Sequence, residues 1–357
     1  MACVLLVACA DSGSTPAPAS DATGALRTAS PEGPAFGIRS VTLDARRPPS
    51  DALLRRIRDL GTTHLTLIPF GWQRRPDDPS VRLDTTDGWY SESNSGIRTL
   101  AQKADTLGMD VILKPHVWIG HYSTEGQARN EVGFDTEAQW AQWEADYRRF
   151  LLHYARLAQD IGADVLVIGT ELHRAAESRT DFWRQLAADA RTLYDGKLTY
   201  AANWYAEYEA IQFWDALDYV GVQAYFPLAK GAAPSMDSLR AGWQRHRQTL
   251  RAIAERTDRP VLFTEVGYRS APSAAAKPWE WPERDEQPVA GADTLQARCY
   301  RAFFEVMREA PWFAGAILWK YQAMPERRRP TGFSPQNRPA EAVIQRWFGG
   351  PPSTAPP

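Results

Sequence analysis

The chain has 357 residues, 44% of them hydrophobic, and a formal net charge of −2. That supplies a full apolar core, excludes a chain disordered throughout, and offers no field to attract nucleic acid or a polyanion. Only Cys299 of three cysteines lies where the pattern folds, and the six histidines lack close ligand spacing. A disulfide framework and a cysteine-based metal site are thereby excluded, and no metal or other cofactor is assigned.

The apolar run Val4 to Ala8 is too short to cross a bilayer as a helix. It ends in Leu6-Val-Ala-Cys9, similar to a bacterial lipobox, although no Lys or Arg precedes it. Residues 1–9 are therefore expected to be a lipoprotein signal with lipidation at Cys9. Residues 10–35, rich in Ser, Ala and Pro, read as a flexible tether. The expected location is the cell envelope, with membrane contact only through the lipid.

The folded region is expected over residues 36–348, followed by a disordered tail, 349–357. Gly37 to Leu43 reads as a first strand. Ser50 caps a helix with Leu53, Leu54, Ile57 and Leu60 on one face, and Gly61 stops it. Thr63 to Phe70 is a second strand, with Trp72 opening a long polar loop that runs to Trp89. Ile97 to Leu107 is helical. Asp110 to Trp118 is a third strand, carrying His116 and Trp118 at its exit. Trp140 to Ile161 is a long amphipathic helix, and Asp164-Val-Leu-Val-Ile-Gly-Thr-Glu171 a fourth strand.

Phe182 to Tyr194 is helical, and Lys197 to Asn203 a fifth strand with Trp204 just beyond. A short helix near Ala210 to Trp214 leads into a sixth strand, Leu217 to Tyr225. A helix, Leu239 to Ala254, precedes the seventh strand, Pro260-Val-Leu-Phe-Thr-Glu265. Leu295 to Glu309 is helical, Ala314 to Tyr321 an eighth strand, and Ala340 to Phe348 a last helix. The Arg327-Arg328-Arg329 run reads as a solvated loop. Eight strands alternating with helices predict a single-domain (β/α)8 barrel, an α/β fold of the TIM class. The open doubly wound sheet lacks its glycine fingerprint after the first strand.

Two apolar runs, the fourth and the seventh, end in a glutamate. A carboxylate closing a strand buried on both faces is costly unless it faces a site. In an α/β barrel the C-terminal strand ends are where catalytic groups sit. Two carboxylates flanking one bond are what glycoside hydrolysis requires, one holding a proton and the other ionised. Tyr225, ending the strand beside Glu265, is placed to donate its hydroxyl there and favour the anion. Glu265 then reads as nucleophile and Glu171 as acid/base.

Four short motifs carry a more specific resemblance: Gly169-Thr-Glu171-Leu, Leu198-Thr-Tyr-Ala-Ala-Asn-Trp204, Gly221-Val-Gln-Ala-Tyr-Phe-Pro227 and Phe263-Thr-Glu-Val-Gly-Tyr-Arg-Ser270. In this order and on these strands they resemble glycoside hydrolase family 113, over roughly Phe36 to Phe348. The resemblance implies a retaining β-1,4-mannanase-like enzyme with Glu171 as acid/base and Glu265 as nucleophile. The wider clan commonly has Asn before the acid/base; here Thr170 stands there, leaving the sugar 2-hydroxyl to another group such as Asn203.

Trp319 on the eighth strand is a candidate floor for the sugar ring, since an indole face packs well on sugar C–H faces. Trp72, Trp204, Trp279 and Trp281 in strand-end loops, with His116, Trp118, Asn203 and Tyr225, complete the candidate substrate-binding set. The loop from Arg269 to Ala292 is long enough to suggest function. The expected partner is an oligosaccharide or polysaccharide, bound by a monomer. Two alternatives stay open: a non-catalytic carbohydrate-binding envelope lipoprotein, and a retaining hydrolase of another β-glycan.

Overall fold

The computed structural model describes residues 36–83, 88–120, 126–283, 285–324, 326 and 328–349, all within the unit Gly33–Pro357. Cys9, the 10–35 tether, His121, Arg327 and the tail beyond Gly349 lie outside the described residues.

The chain runs β1 (Ile38–Asp44), α1 (Asp51–Asp59), β2 (His64–Leu67), β3 (Phe70–Gln73), β4 (Arg82–Leu83), α2 (Asn94–Thr106), β5 (Asp110–Leu113), β6 (His116–Ile119), α3 (Glu137–Asp160) and β7 (Val165–Thr170). It continues α4 (His173–Ser178), α5 (Thr180–Arg191), β8 (Lys197–Asn203), α6 (Glu207–Ala210), β9 (Tyr219–Gln223), α7 (Met236–Thr257), β10 (Val261–Val266), α8 (Ala292–Met307), β11 (Phe313–Gln322) and α9 (Pro339–Phe348). Eight parallel strands close a barrel in the order β1-β11-β10-β9-β8-β7-β5-β2. This is the (β/α)8 barrel that the sequence predicts.

Side chains from six strands, Ile38, Ile112, Val165, Val167, Ala201, Leu262 and Ile317, form an apolar cluster of their own. A larger core lies between the strands and the helices, and there Trp143, Trp183, Trp214 and Trp243 are fully buried. These four tryptophans fill space, as large aromatic side chains do in cores. Ser50, Ser93, Thr136 and Ser235 each accept a backbone N–H of the first turn they precede, fixing where α1, α2, α3 and α7 begin.

The second and third strands depart from expectation. Each splits at a proline. β2 leaves the barrel ladder at Leu67 and β5 at Leu113, because Pro69 and Pro115 have no N–H to give. Beyond the prolines the two chains, already neighbours in the barrel, go on pairing with each other but outside it, Phe70 with His116 and Trp72 with Trp118. Trp72 is thus on β3, not in a loop, and β4 in the expected loop adds an antiparallel third strand. The short helix expected at Ala210 to Trp214 is instead a single turn, α6, ahead of a 3-10 turn, Trp214–Ala216. The sequence reading also missed α4 and a 3-10 turn at Gly126–Glu131. Arg328 and Arg329 are not simply solvated: they donate to the carbonyls of Gln336 (2.9 Å) and Pro282 (2.5 Å).

Candidate active site

β7 and β10 deliver the two glutamates at the same end of the barrel. Glu265 is the penultimate residue of β10, paired in register with Gln223 of β9. Glu171 follows β7 directly and has a left-handed backbone, φ 55°. Its N–H remains tied to the ladder through Ala201 O at 2.9 Å.

Their surroundings differ. Both oxygens of Glu265 are held. Lys114 Nζ donates to Oε1 at 2.6 Å, and Tyr225 Oη donates to Oε2 at 2.6 Å. The tyrosine contact is the one the sequence suggests. Lys114, fully buried, also donates to Gln223 Oε1 at 2.8 Å and Thr264 O at 3.0 Å. Burial lowers the proton affinity of its ammonium, and the negative charges of Glu265 and Glu171 oppose that. Burial likewise raises the Tyr225 phenol well above its ordinary pKa, with Glu265 and Glu171 adding to the shift. The charges of both glutamates thus act on one lysine just past β5 and one tyrosine just past β9.

Glu171 is held on one side only. Arg129, in the 3-10 turn after β6, donates Nη2 to Oε2 at 2.5 Å. Among the described residues no side chain engages Oε1.

The end of β8 is closed by a carboxylate that the sequence reading passed over. Glu207 is fully buried and accepts from Tyr200 Oη at 2.6 Å, Asn203 N at 2.8 Å and Asn203 Nδ2 at 2.7 Å. Burial raises its pKa to about 7. Asn203 therefore reaches the site with Nδ2 engaged by Glu207. Thr170, in the position before Glu171, is buried with Oγ1 unpaired among the described residues.

The remaining candidates fall into neighbouring pairs. Trp72 and Trp118 lie 6.3 Å apart on the side sheet and are both exposed. Trp204 stacks on Trp279 at 5.0 Å and 26°. Trp281 stands edge-on to Trp319, 6.3 Å away. Trp319 is half-buried, and its Nε1 has no partner among the described residues. His116 is 3% exposed and packs edge-on against Phe70. Burial, then the charges of Lys114 and Arg129, push its pKa well down, which favours the neutral imidazole, and its Nε2 has no partner among the described residues.

Lys114, Arg129 and Glu207 are the groups that sequence reasoning missed. Lys114 had a usable signal, a lysine inside the run Val111-Ile-Leu-Lys114-Pro where a charge needs a partner. Glu207 had a weaker one, a carboxylate four residues past the end of a barrel strand. Arg129 had none. Among the described residues no group of three or more His, Cys, Asp and Glu gathers as metal ligands, and no helix is long and apolar enough to cross a membrane.

No curated protein matches the sequence. Among solved structures the chain is similar to the GH113 β-mannanase AaManA from Alicyclobacillus acidocaldarius, in complex with ManMIm. Identity is 28% and the TM-score 0.74, over 88% of this chain and 97% of that one. A GH113 β-1,4-mannanase is 24% identical, with a TM-score of 0.73 over 88% of this chain and 100% of that one. A β-glucuronidase from Ruminococcus gnavus, 12% identical with a TM-score of 0.58, is matched over 88% of this chain and 50% of its own. The last two likenesses speak to the fold alone. Residues 35–334, most of the chain, match the family model for Glycoside Hydrolase Family 113, and the chain belongs to that family.

Proposed function

We propose that this glycoside hydrolase cleaves β-1,4-linked mannan or manno-oligosaccharides with retention of configuration. The likeness to AaManA, a β-mannanase, along nearly its whole length supports the substrate class. One observation carries the mechanism: Glu265 is gripped on both oxygens by Lys114 and Tyr225, whereas Glu171 has one oxygen without a side-chain partner among the described residues.

Glu265 is the nucleophile. Its carboxylate attacks the anomeric carbon while Glu171 gives its proton to the departing glycosidic oxygen, leaving a covalent glycosyl-enzyme. Glu171, now ionised, takes a proton from water as the water attacks the same carbon and frees Glu265. Two inversions restore the β configuration. Direct attack requires the carboxyl groups about 5–5.5 Å apart.

The test is chemical rescue with azide. Glu265→Ala loses activity on manno-oligosaccharides, and azide restores turnover of an activated aryl β-mannoside as an α-glycosyl azide. Glu171→Ala keeps activity on the activated substrate, and azide there gives a β-azide. Reversed azide stereochemistry would mean that the two roles are exchanged. Full activity of either variant on the natural glycan would overturn the assignment.

A further inference from the structure

The left-handed backbone of Glu171 is disfavoured for a residue with a side chain, by about 1–3 kcal/mol, and persists only where its surroundings enforce it. The Glu171 N–H is bonded to Ala201 O, and a second contact falls on the next residue. Leu172 donates its N–H to Tyr200 Oη at 2.7 Å, a buried bond from the neighbouring strand β8. Gly169 makes room for that ring: a Cβ there would come within 2.6 Å of Tyr200 Cε2.

A phenol has one hydrogen to give. With Tyr200 Oη accepting from Leu172, that hydrogen goes to Glu207 Oε1 at 2.6 Å. This length is typical of a hydroxyl bound to a carboxylate, and such a bond makes the hydroxyl a better acceptor in turn. The other oxygen of Glu207 takes both Asn203 N and Nδ2. One carboxylate thus ties the ends of β7 and β8 together. It does so without any cation: no charged partner offsets its burial among the described residues. A buried carboxylate without a counter-ion is a poor device for stability. Its value lies in what it orients.

We propose that Glu207 is a positioning residue for Glu171, acting through Tyr200 Oη and the Leu172 N–H to hold the glutamate where it can protonate the leaving group. The proposal rests on the reading of Glu171 as acid/base.

The experiment compares two substrates by kcat/KM, which reports the first, acid-assisted step. Mannotetraose needs a proton on its leaving oxygen. 2,4-Dinitrophenyl β-mannoside does not. Glu207→Gln is expected to lose about 10²-fold on mannotetraose, within the span of general acid catalysis, and less than about threefold on the aryl glycoside. Tyr200→Phe, which cuts the link to Leu172 but keeps Glu207 and Asn203, is expected to show the same selective loss and carries the test if the Gln variant fails to fold. Equal losses on the two substrates, or none, in a folded variant would overturn the proposal. Glu171→Ala is the reference. If it discriminates between the substrates while the folded Glu207 and Tyr200 variants do not, only the positioning role fails. If Glu171→Ala does not discriminate, the acid/base reading fails and takes the proposal with it.

Discussion

Lys114 donates three hydrogen bonds from a buried position. It is fully buried, and its ammonium bonds converge from β9 and β10, 109 and 151 residues further along the chain for Gln223 and Glu265. Removing one partner of a buried ion pair strands the other charge, typically at 3–5 kcal/mol. Lys114→Met is therefore expected to destabilise the protein by about that much. It should also lower kcat by roughly 10²-fold or more, because the carboxylate loses a preorganised donor. Denaturant unfolding and steady-state kinetics check the two effects separately. The glutamates were legible in the sequence, because a charge that closes an apolar run must face a site or a buried partner. Of the groups that hold them, Tyr225 was legible as the end of the neighbouring strand, and Lys114 and Arg129 were missed. The partners of Lys114 are set by barrel closure, and Arg129 comes from a polar stretch with no periodicity to read.

At the scale of elements, β10 and β11 run together to the mouth, with Val266 paired to Leu318. Just beyond, Gly267 lies against the backbone of Trp319. A Cβ on Gly267 would sit 2.8 Å from Trp319 O, closer than side chains tolerate, and 3.2 Å from Trp319 Cβ, a tight contact. Gly267→Ala is expected to push the indole out of place, lowering kcat while costing about 1–3 kcal/mol, the usual range for overpacking. A thermal melt combined with activity on manno-oligosaccharides checks this; wild-type kcat with a wild-type melt would refute it. The barrel itself was legible because strands buried on both faces read as apolar runs between helical periods. The side sheet was not. Thr63 to Phe70 and Asp110 to Trp118 look continuous, and nothing local says that Pro69 and Pro115 divide each into two strands serving different sheets.

At the scale of the molecule, Glu92 and Glu207 set a pH trend. Burial raises each from 4.5 to about 7. Between those values the folded protein keeps protons that the unfolded chain has released, so each group's contribution to stability is present below pH 4.5 and lost as pH rises towards 7. Each loss is at most about 3 kcal/mol. Glu92→Gln is expected to flatten the fall in unfolding free energy across that window, and pH-resolved denaturation checks it; an unchanged slope would contradict the assignment. The loop of residues 269–291 has a different consequence. Arg269 is buried and ion-paired to Glu286 within the loop, and Arg329, from the loop after β11, holds Pro282 O at 2.5 Å, so the loop is tied to itself and to its neighbour. Its Trp279 then stacks on Trp204, which belongs to another βα unit. Barrels diversify by exchanging such loops one at a time. Here the two are not independent modules. A graft of residues 269–291 without Trp204 carries a bare indole face, and a change at Trp204 is felt by the other loop, so the two loops can diverge in sequence only as a linked pair.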